Sequence, residues 1–98
     1  MEYKILKRVK GEIKEVEITS DDQRYLATLS KVGSDWIYDI CRYIRDCKEG
    51  TVWSLIGTVV IDRPDAILDA KARKAEILQT IGNRIFDYEK QMVKTVKA

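Results

Sequence analysis

The longest regular pattern in the chain is DAILDAKARKAEILQTIGNRIFDYEKQMVKTV, residues 65–96. Its stripe positions recur at spacings of four and three residues in turn, which is typical of one face of an α-helix. The stripe consists of Ile67, Lys71, Lys74, Leu78, Ile81, Ile85, Tyr88, Met92 and Thr95. Pro64 precedes it as a helix-start signal, because proline fits the first turn. Gly82 alone interrupts it, at a cost of about 1 kcal/mol relative to alanine.

The length of this helix predicts self-association. It would measure roughly 48 Å, whereas a domain of this size has a radius of gyration near ~13 Å. Unless it breaks near Gly82, the helix would therefore extend past its own domain and need a partner. We predict a homo-oligomer, a dimer or higher, that assembles through the centre of the stripe. The predicted contact residues are Leu78, Ile81, Ile85, Tyr88 and Met92. The alternative is that the stripe covers the chain's own sheet, as most such stripes do.

The first eighteen residues show the alternation of a β-hairpin. Lys10-Gly11 lies at its centre, and Gly11 can supply the positive φ that a two-residue turn requires. The predicted cross-strand partners are Tyr3 and Ile18, Ile5 and Val16, and Lys7 and Lys14. The first two pairs share the core face, while Leu6 and Ile13 are predicted on the opposite face.

Residues 20–33 and 34–50 are each predicted to form a short helix. Ser20 followed by Gln23 fits a capping box. Gly33 suits the C-terminal end of the first of these helices.

Residues 51–61 are β-branched and apolar at both odd and even positions, which predicts a strand covered on both faces or inside a sheet. Gly57 within this strand predicts a bulge or a close approach of another segment. The expectation is one α+β domain over residues 1–98 with elements in the order ββ-α-α-β-α.

Composition excludes several classes of function. The 98 residues contain no histidine, which removes the commonest general base and metal ligand, and only two cysteines, too few for a four-ligand zinc site. The five glycines are scattered, so no phosphate-binding glycine loop is present. We therefore expect no catalytic residues, no metal and no cofactor. The chain shows no apolar run long enough to cross a membrane and no signal peptide, so a cytoplasmic protein is expected.

Two groups of residues are candidates for ligand binding. Cations in the hairpin and the C-terminal helix could bind the phosphates of a nucleic acid, although ordinary solvated surface is the alternative for a net charge of +2. The candidates are Arg8, Lys10, Lys71, Arg73 and Lys74, with Lys90, Lys94 and Lys97 further along. A nucleotide could instead bind to Tyr38, Arg42 and Arg45, which are predicted on the polar side of a helix near a subunit interface.

These features favour a small, non-catalytic, self-associating binding or accessory protein, inhibitor-like or adaptor-like, that assembles through its C-terminal helix. Its compactness and the absence of histidine suit a protein of bacterial, archaeal or viral type. A nucleic-acid-binding protein and a nucleotide-sequestering protein are the two alternatives.

Overall fold

A computed structural model describes the backbone of residues 1–97 and the side chains of residues 1–92. The elements are β1 (Glu2–Val9), β2 (Glu12–Ser20), β3 (Gln23–Val32), β4 (Asp35–Cys47), β5 (Gly50–Ile61), a 3-10 turn (Pro64–Ala66) and α1 (Ala70–Lys97). The five strands form one antiparallel meander in the order β1-β2-β3-β4-β5. The side chains of Lys94, Thr95 and Lys97 lie outside the described residues.

The N-terminal hairpin confirms part of the predicted register. Tyr3 pairs with Ile18 and Ile5 with Val16, and the turn residues Lys10 and Gly11 have φ of 52° and 80°. Positive φ at both central positions is what a tight hairpin turn with the right twist requires.

Nearer the turn the ladder is irregular, and the predicted pair of Lys7 with Lys14 is wrong. Lys7 pairs with Glu15 rather than Lys14, and Arg8 then pairs with Ile13. Each shift of one residue turns the following side chains to the other face. Ile13 is therefore buried in the core, at 3% exposure, whereas Leu6 is exposed as predicted.

The two predicted short helices are wrong. Residues 20–33 and 34–50 instead contribute β3 and β4, so the order ββ-α-α-β-α is replaced by five strands and one helix. The presumed capping box is the β2–β3 turn, where Ser20 pairs with Gln23 and Asp21 has a φ of 52°. Gly33, with a φ of 62°, belongs to the next hairpin turn.

Apolar residues on both faces of β3 and β4 explain this misinterpretation. Tyr25, Ala27 and Leu29 alternate into the core, while Leu26 lies on the other face of the same strand. Adjacent apolar residues of this kind imitate the three-and-four spacing of a helix.

β5 confirms the predicted strand but not its predicted place in the fold. It is an edge strand, and Leu55 and Val60 are 62% and 57% exposed. Gly57 adjoins a bulge as predicted, since Ile40 pairs with Gly57 and the next pair joins Cys41 to Leu55.

α1 covers one face of the sheet and closes the core. Ile77, Ile81 and Ile85 are fully buried, and each contributes about 1.5–3 kcal/mol by leaving water. Their sheet partners are Ile13, Val16, Ile18, Tyr25, Ala27, Leu29, Trp36, Tyr38, Ile40 and Ile61. No element of the described chain covers the opposite face of the sheet, which we call the open face.

α1 packs on its own sheet from Ile77 to Tyr88. It starts at Ala70 rather than residue 65 and runs without interruption through Gly82. Its 28 residues span about 42 Å, close to the longest dimension of the molecule, 43 Å. β4, with 13 residues, is about as long, because strands rise ~3.3 Å per residue.

Candidate functional site

A cavity of about 270 Å³ opens where the first turn of α1 meets the β1–β2 turn. The strand directions place the β3–β4 turn and the end of β5 at this same end of the sheet. Ile13, Trp36 and Ile77 supply its apolar walls. The cavity therefore joins three segments that are far apart in sequence: the N-terminal hairpin, the start of β4 and the start of α1.

Among the described residues, four cations and no acidic side chain line this cavity, which we call the basic cavity. The cations are Arg8, Lys71, Arg73 and Lys74. These are four of the five residues that the sequence nominated for nucleic-acid binding. Lys10, the fifth, does not line the cavity, although its neighbour Gly11 does. One guanidinium N–H of Arg73 donates to the Ile67 carbonyl at 2.8 Å, which fixes the position of that side chain.

The helix dipole adds to the positive potential of the basic cavity. The N-terminus of a helix carries roughly +0.5 of an elementary charge, so acidic residues normally occupy the first turn. Here the first turn contains no acidic residue and carries Lys71, Arg73 and Lys74. Asp69, just before the helix, accepts the Lys71 backbone N–H at 3.4 Å. The positive end of the helix dipole repels these three cations, and a bound anion would offset that repulsion.

Trp36 lines the same cavity and carries a buried hydrogen-bond donor. It is only 1% exposed, and its indole N–H has no hydrogen-bond partner among the described residues. A buried donor without a partner costs about 1–3 kcal/mol. Because indole nitrogen only donates, its natural partner is an oxygen of a water or an anion. Nothing in the sequence indicated the unpaired N–H of Trp36.

A second cavity, of about 260 Å³, lies at the other end of the helix. It is lined by Gln23, Tyr25, Arg42, Tyr88, Glu89 and Met92. The Glu89 carboxylate is already engaged, since it accepts the Ser20 hydroxyl at 3.0 Å and the Tyr25 hydroxyl at 2.9 Å. Burial, together with this hydrogen bond, raises the pKa of the Tyr25 hydroxyl. The two hydrogen bonds to Glu89 therefore attach the helix to the β2–β3 turn.

The structure does not bring together the three residues nominated for nucleotide binding. Tyr38 is fully buried, and its hydroxyl donates to the Ile13 carbonyl at 2.7 Å. Burial also raises the pKa of this hydroxyl. Arg42 lines the second cavity, while Arg45 is exposed and outside it. The three side chains of β4 thus have three different surroundings.

The residues nominated for helix-mediated assembly are mostly engaged within their own chain. Ile81 and Ile85 are fully buried between α1 and the sheet. Leu78 and Tyr88 are half-buried against the same core. Met92 is 44% exposed. The two central isoleucines are therefore not on the surface that a partner could contact.

Within the described residues there is no group of acidic or cysteine side chains that could hold a metal ion, and no helix apolar and long enough to span a membrane. Comparisons of the chain with protein-family models, curated proteins and solved structures found no match.

Proposed function

We propose that this chain is a small, non-catalytic binding protein whose basic cavity holds a phosphate group of a nucleotide or a nucleic acid. The observation that carries the proposal is the set of four cations, without an acidic residue among the described ones, that lines the basic cavity. Phosphate offers several acceptor oxygens and negative charge, which match these surrounding cations. A protein that only binds its ligand would act by sequestration or docking, as an inhibitor or an adaptor does.

The size of the cavity favours the phosphate group over the whole ligand. Sites that enclose a drug-sized molecule measure ~300–1,000 Å³, and the basic cavity, at about 270 Å³, lies below that range. Trp36 is buried, so its ring face is not available for stacking on a base. The rest of the ligand would therefore remain outside the cavity, near Lys10 at the hairpin turn.

Thermal unfolding with three phosphate compounds tests the proposal. Inorganic triphosphate, ATP and a short DNA duplex share the phosphate group and differ in what is attached to it. A compound that binds should stabilise the protein by about 2.7 kcal/mol at 100 times its dissociation constant. If triphosphate and ATP stabilise it and the duplex does not, the source is a nucleotide. If the duplex binds more tightly and weakens steeply with salt, the source is a nucleic acid.

Matched lysine variants locate the site. Lys71→Ala and Lys74→Ala remove cations that line the basic cavity, whereas Lys48→Ala removes an exposed lysine from the β4–β5 turn at the opposite end of the sheet. The first two variants should weaken binding about tenfold each, and Lys48→Ala should leave it unchanged. The proposal is overturned if no phosphate compound stabilises the protein, or if Lys48→Ala weakens binding as much as Lys71→Ala.

A further inference from the structure

The two edges of the sheet differ in a way that bears on association. β1 carries Glu2, Lys4, Lys7 and Arg8, whereas β5 has no charged residue between Gly50 and Ile61. It is the only one of the five strands without a charge. Natural proteins use charged residues, especially lysine, to stop an edge strand from pairing with another chain. The β1 edge has this protection and the β5 edge lacks it.

The unprotected edge is also long and apolar. No strand of the described chain pairs with β5 on its outer side. The bulge at Ile56 divides the strand, and Arg84 donates to the Ile56 carbonyl at 3.1 Å. Between the β4–β5 turn and this bulge, residues 51–55 add no extra residue to β5, and the segment ends at the 62% exposed Leu55. Its pairing with β4 shifts by one residue between Trp53 and Val52.

We propose that residues 51–55 of β5 pair antiparallel with the same residues of a second copy of the chain. A two-fold axis at Trp53 would place Trp53 opposite its equivalent and Thr51 opposite Leu55, and the two sheets would become one. Aromatic and β-branched side chains are favourable cross-strand neighbours. Antiparallel pairing about this two-fold axis places each residue of the segment opposite another residue of the same segment, and none of them is charged.

The same feature argues for a second copy rather than an unrelated strand. A charged partner strand would have to place its charges against Leu55 and the neighbouring apolar side chains without a counter-charge from β5. The β5 strand of a second copy is equally free of charge, so a two-fold dimer pairs the β5 edges of both copies through one contact. The sequence predicted self-association through α1. The proposed dimer uses β5 instead, because Ile81 and Ile85 of α1 are buried in the core.

The oligomeric state of two leucine variants tests this interface. Leu55 and Leu6 are both exposed, at 62% and 45%, and they lie on opposite edge strands. Light scattering after size exclusion, over a range of protein concentrations, should show a dimer for the natural chain. Leu55→Lys should raise its dissociation constant by about tenfold or more, because lysine on an edge strand opposes pairing with another chain. Leu6→Lys should leave the dimer unchanged.

Backbone hydrogen exchange distinguishes edge pairing from packing of the two open faces. If the edges pair, amides of residues 51–55 should exchange more slowly as the protein concentration rises, and this protection should be lost on dilution. A natural chain that is monomeric at every concentration overturns the proposal. So does a dimer that responds equally to Leu6→Lys and Leu55→Lys, or one without concentration-dependent protection of β5.

Discussion

Replacing Gly82 by alanine tests how α1 packs against the sheet, because two effects of opposite sign compete there. In an exposed helix, glycine to alanine stabilises the folded state by about 1 kcal/mol. Gly82, however, is buried within α1, and the Tyr3 hydroxyl occupies the space that a Cβ would take. The Met1 sulfur would lie 3.3 Å from that Cβ. The substitution therefore gains helix propensity but displaces the Tyr3 ring from the helix.

The magnitude follows from how much contact Tyr3 would lose. Its side chain is 38% exposed, so more than half of it is covered. Full burial of a large apolar side chain is worth about 1.5–3 kcal/mol, so loss of most of this contact costs about 1–2 kcal/mol. This cost cancels or exceeds the propensity gain, and we expect Gly82→Ala to be neutral or to destabilise the protein by up to about 1 kcal/mol.

A double-mutant cycle with Tyr3→Ala isolates the competition. With Tyr3 truncated, the space over Gly82 is free, and Gly82→Ala should stabilise the protein by about 1 kcal/mol. Urea unfolding of the four variants gives each free energy, and the coupling should be at least about 1 kcal/mol. If Gly82→Ala stabilises both backgrounds equally, the packing of Tyr3 over the helix is refuted.

Three further changes have defined outcomes. Ile81→Ala should cost about 2–5 kcal/mol in the free energy of unfolding, because Ile81 is fully buried; a change below about 1 kcal/mol would contradict its core position. Tyr25→Phe loses the hydrogen bond to Glu89 and should cost about 1–3 kcal/mol at neutral pH. The pKa of the Tyr25 hydroxyl in the folded state is raised above 10.0. The stability that this hydroxyl adds is therefore intact below pH 10 and declines above it. As the pH rises further, the natural chain should lose more stability than the variant. Burial raises the pKa of the Cys41 thiol, whereas Cys47 is exposed, so an alkylating reagent should modify Cys47 first in the folded protein; equal rates would contradict the placement of Cys41.

Local turn chemistry and one long periodic pattern made parts of this fold predictable. Lys10-Gly11 set the register of the N-terminal hairpin near Tyr3 and Ile18. The long C-terminal helix was predicted, but it starts at Ala70, so the first residue of the stripe, Ile67, lies outside it. What the stripe contacts was not predictable, because a helix that covers a long sheet and a helix that covers a partner have the same sequence pattern. The sheet is as long as the helix only because residues 35–47 form one strand.

The failures share a physical cause, which is that long-range pairing overrides local signals. β3 and β4 carry apolar residues on both faces, so their period of two was hidden. The irregular pairing near Lys14 moved Ile13 into the core, an effect that simple alternation cannot anticipate.

The cations of the basic cavity were predictable from the sequence, but their assembly into one site was not. The sequence nominated Arg8, Lys71, Arg73 and Lys74 from their charge, but only the fold places the hairpin beside the start of α1. The unpaired donor of Trp36 depends on burial from several elements and leaves no mark in the sequence.

The proton and nitrogen resonances of the Trp36 indole group provide the most direct test of phosphate binding. The chain has two tryptophans, so Trp53, which lies on the open face, serves as an internal reference. On titration with inorganic triphosphate, the Trp36 indole N–H signal should move because Trp36 lines the basic cavity, while the Trp53 signal stays in place. A titration in which neither signal moves, or in which Trp53 moves and Trp36 does not, would contradict a phosphate site in the basic cavity.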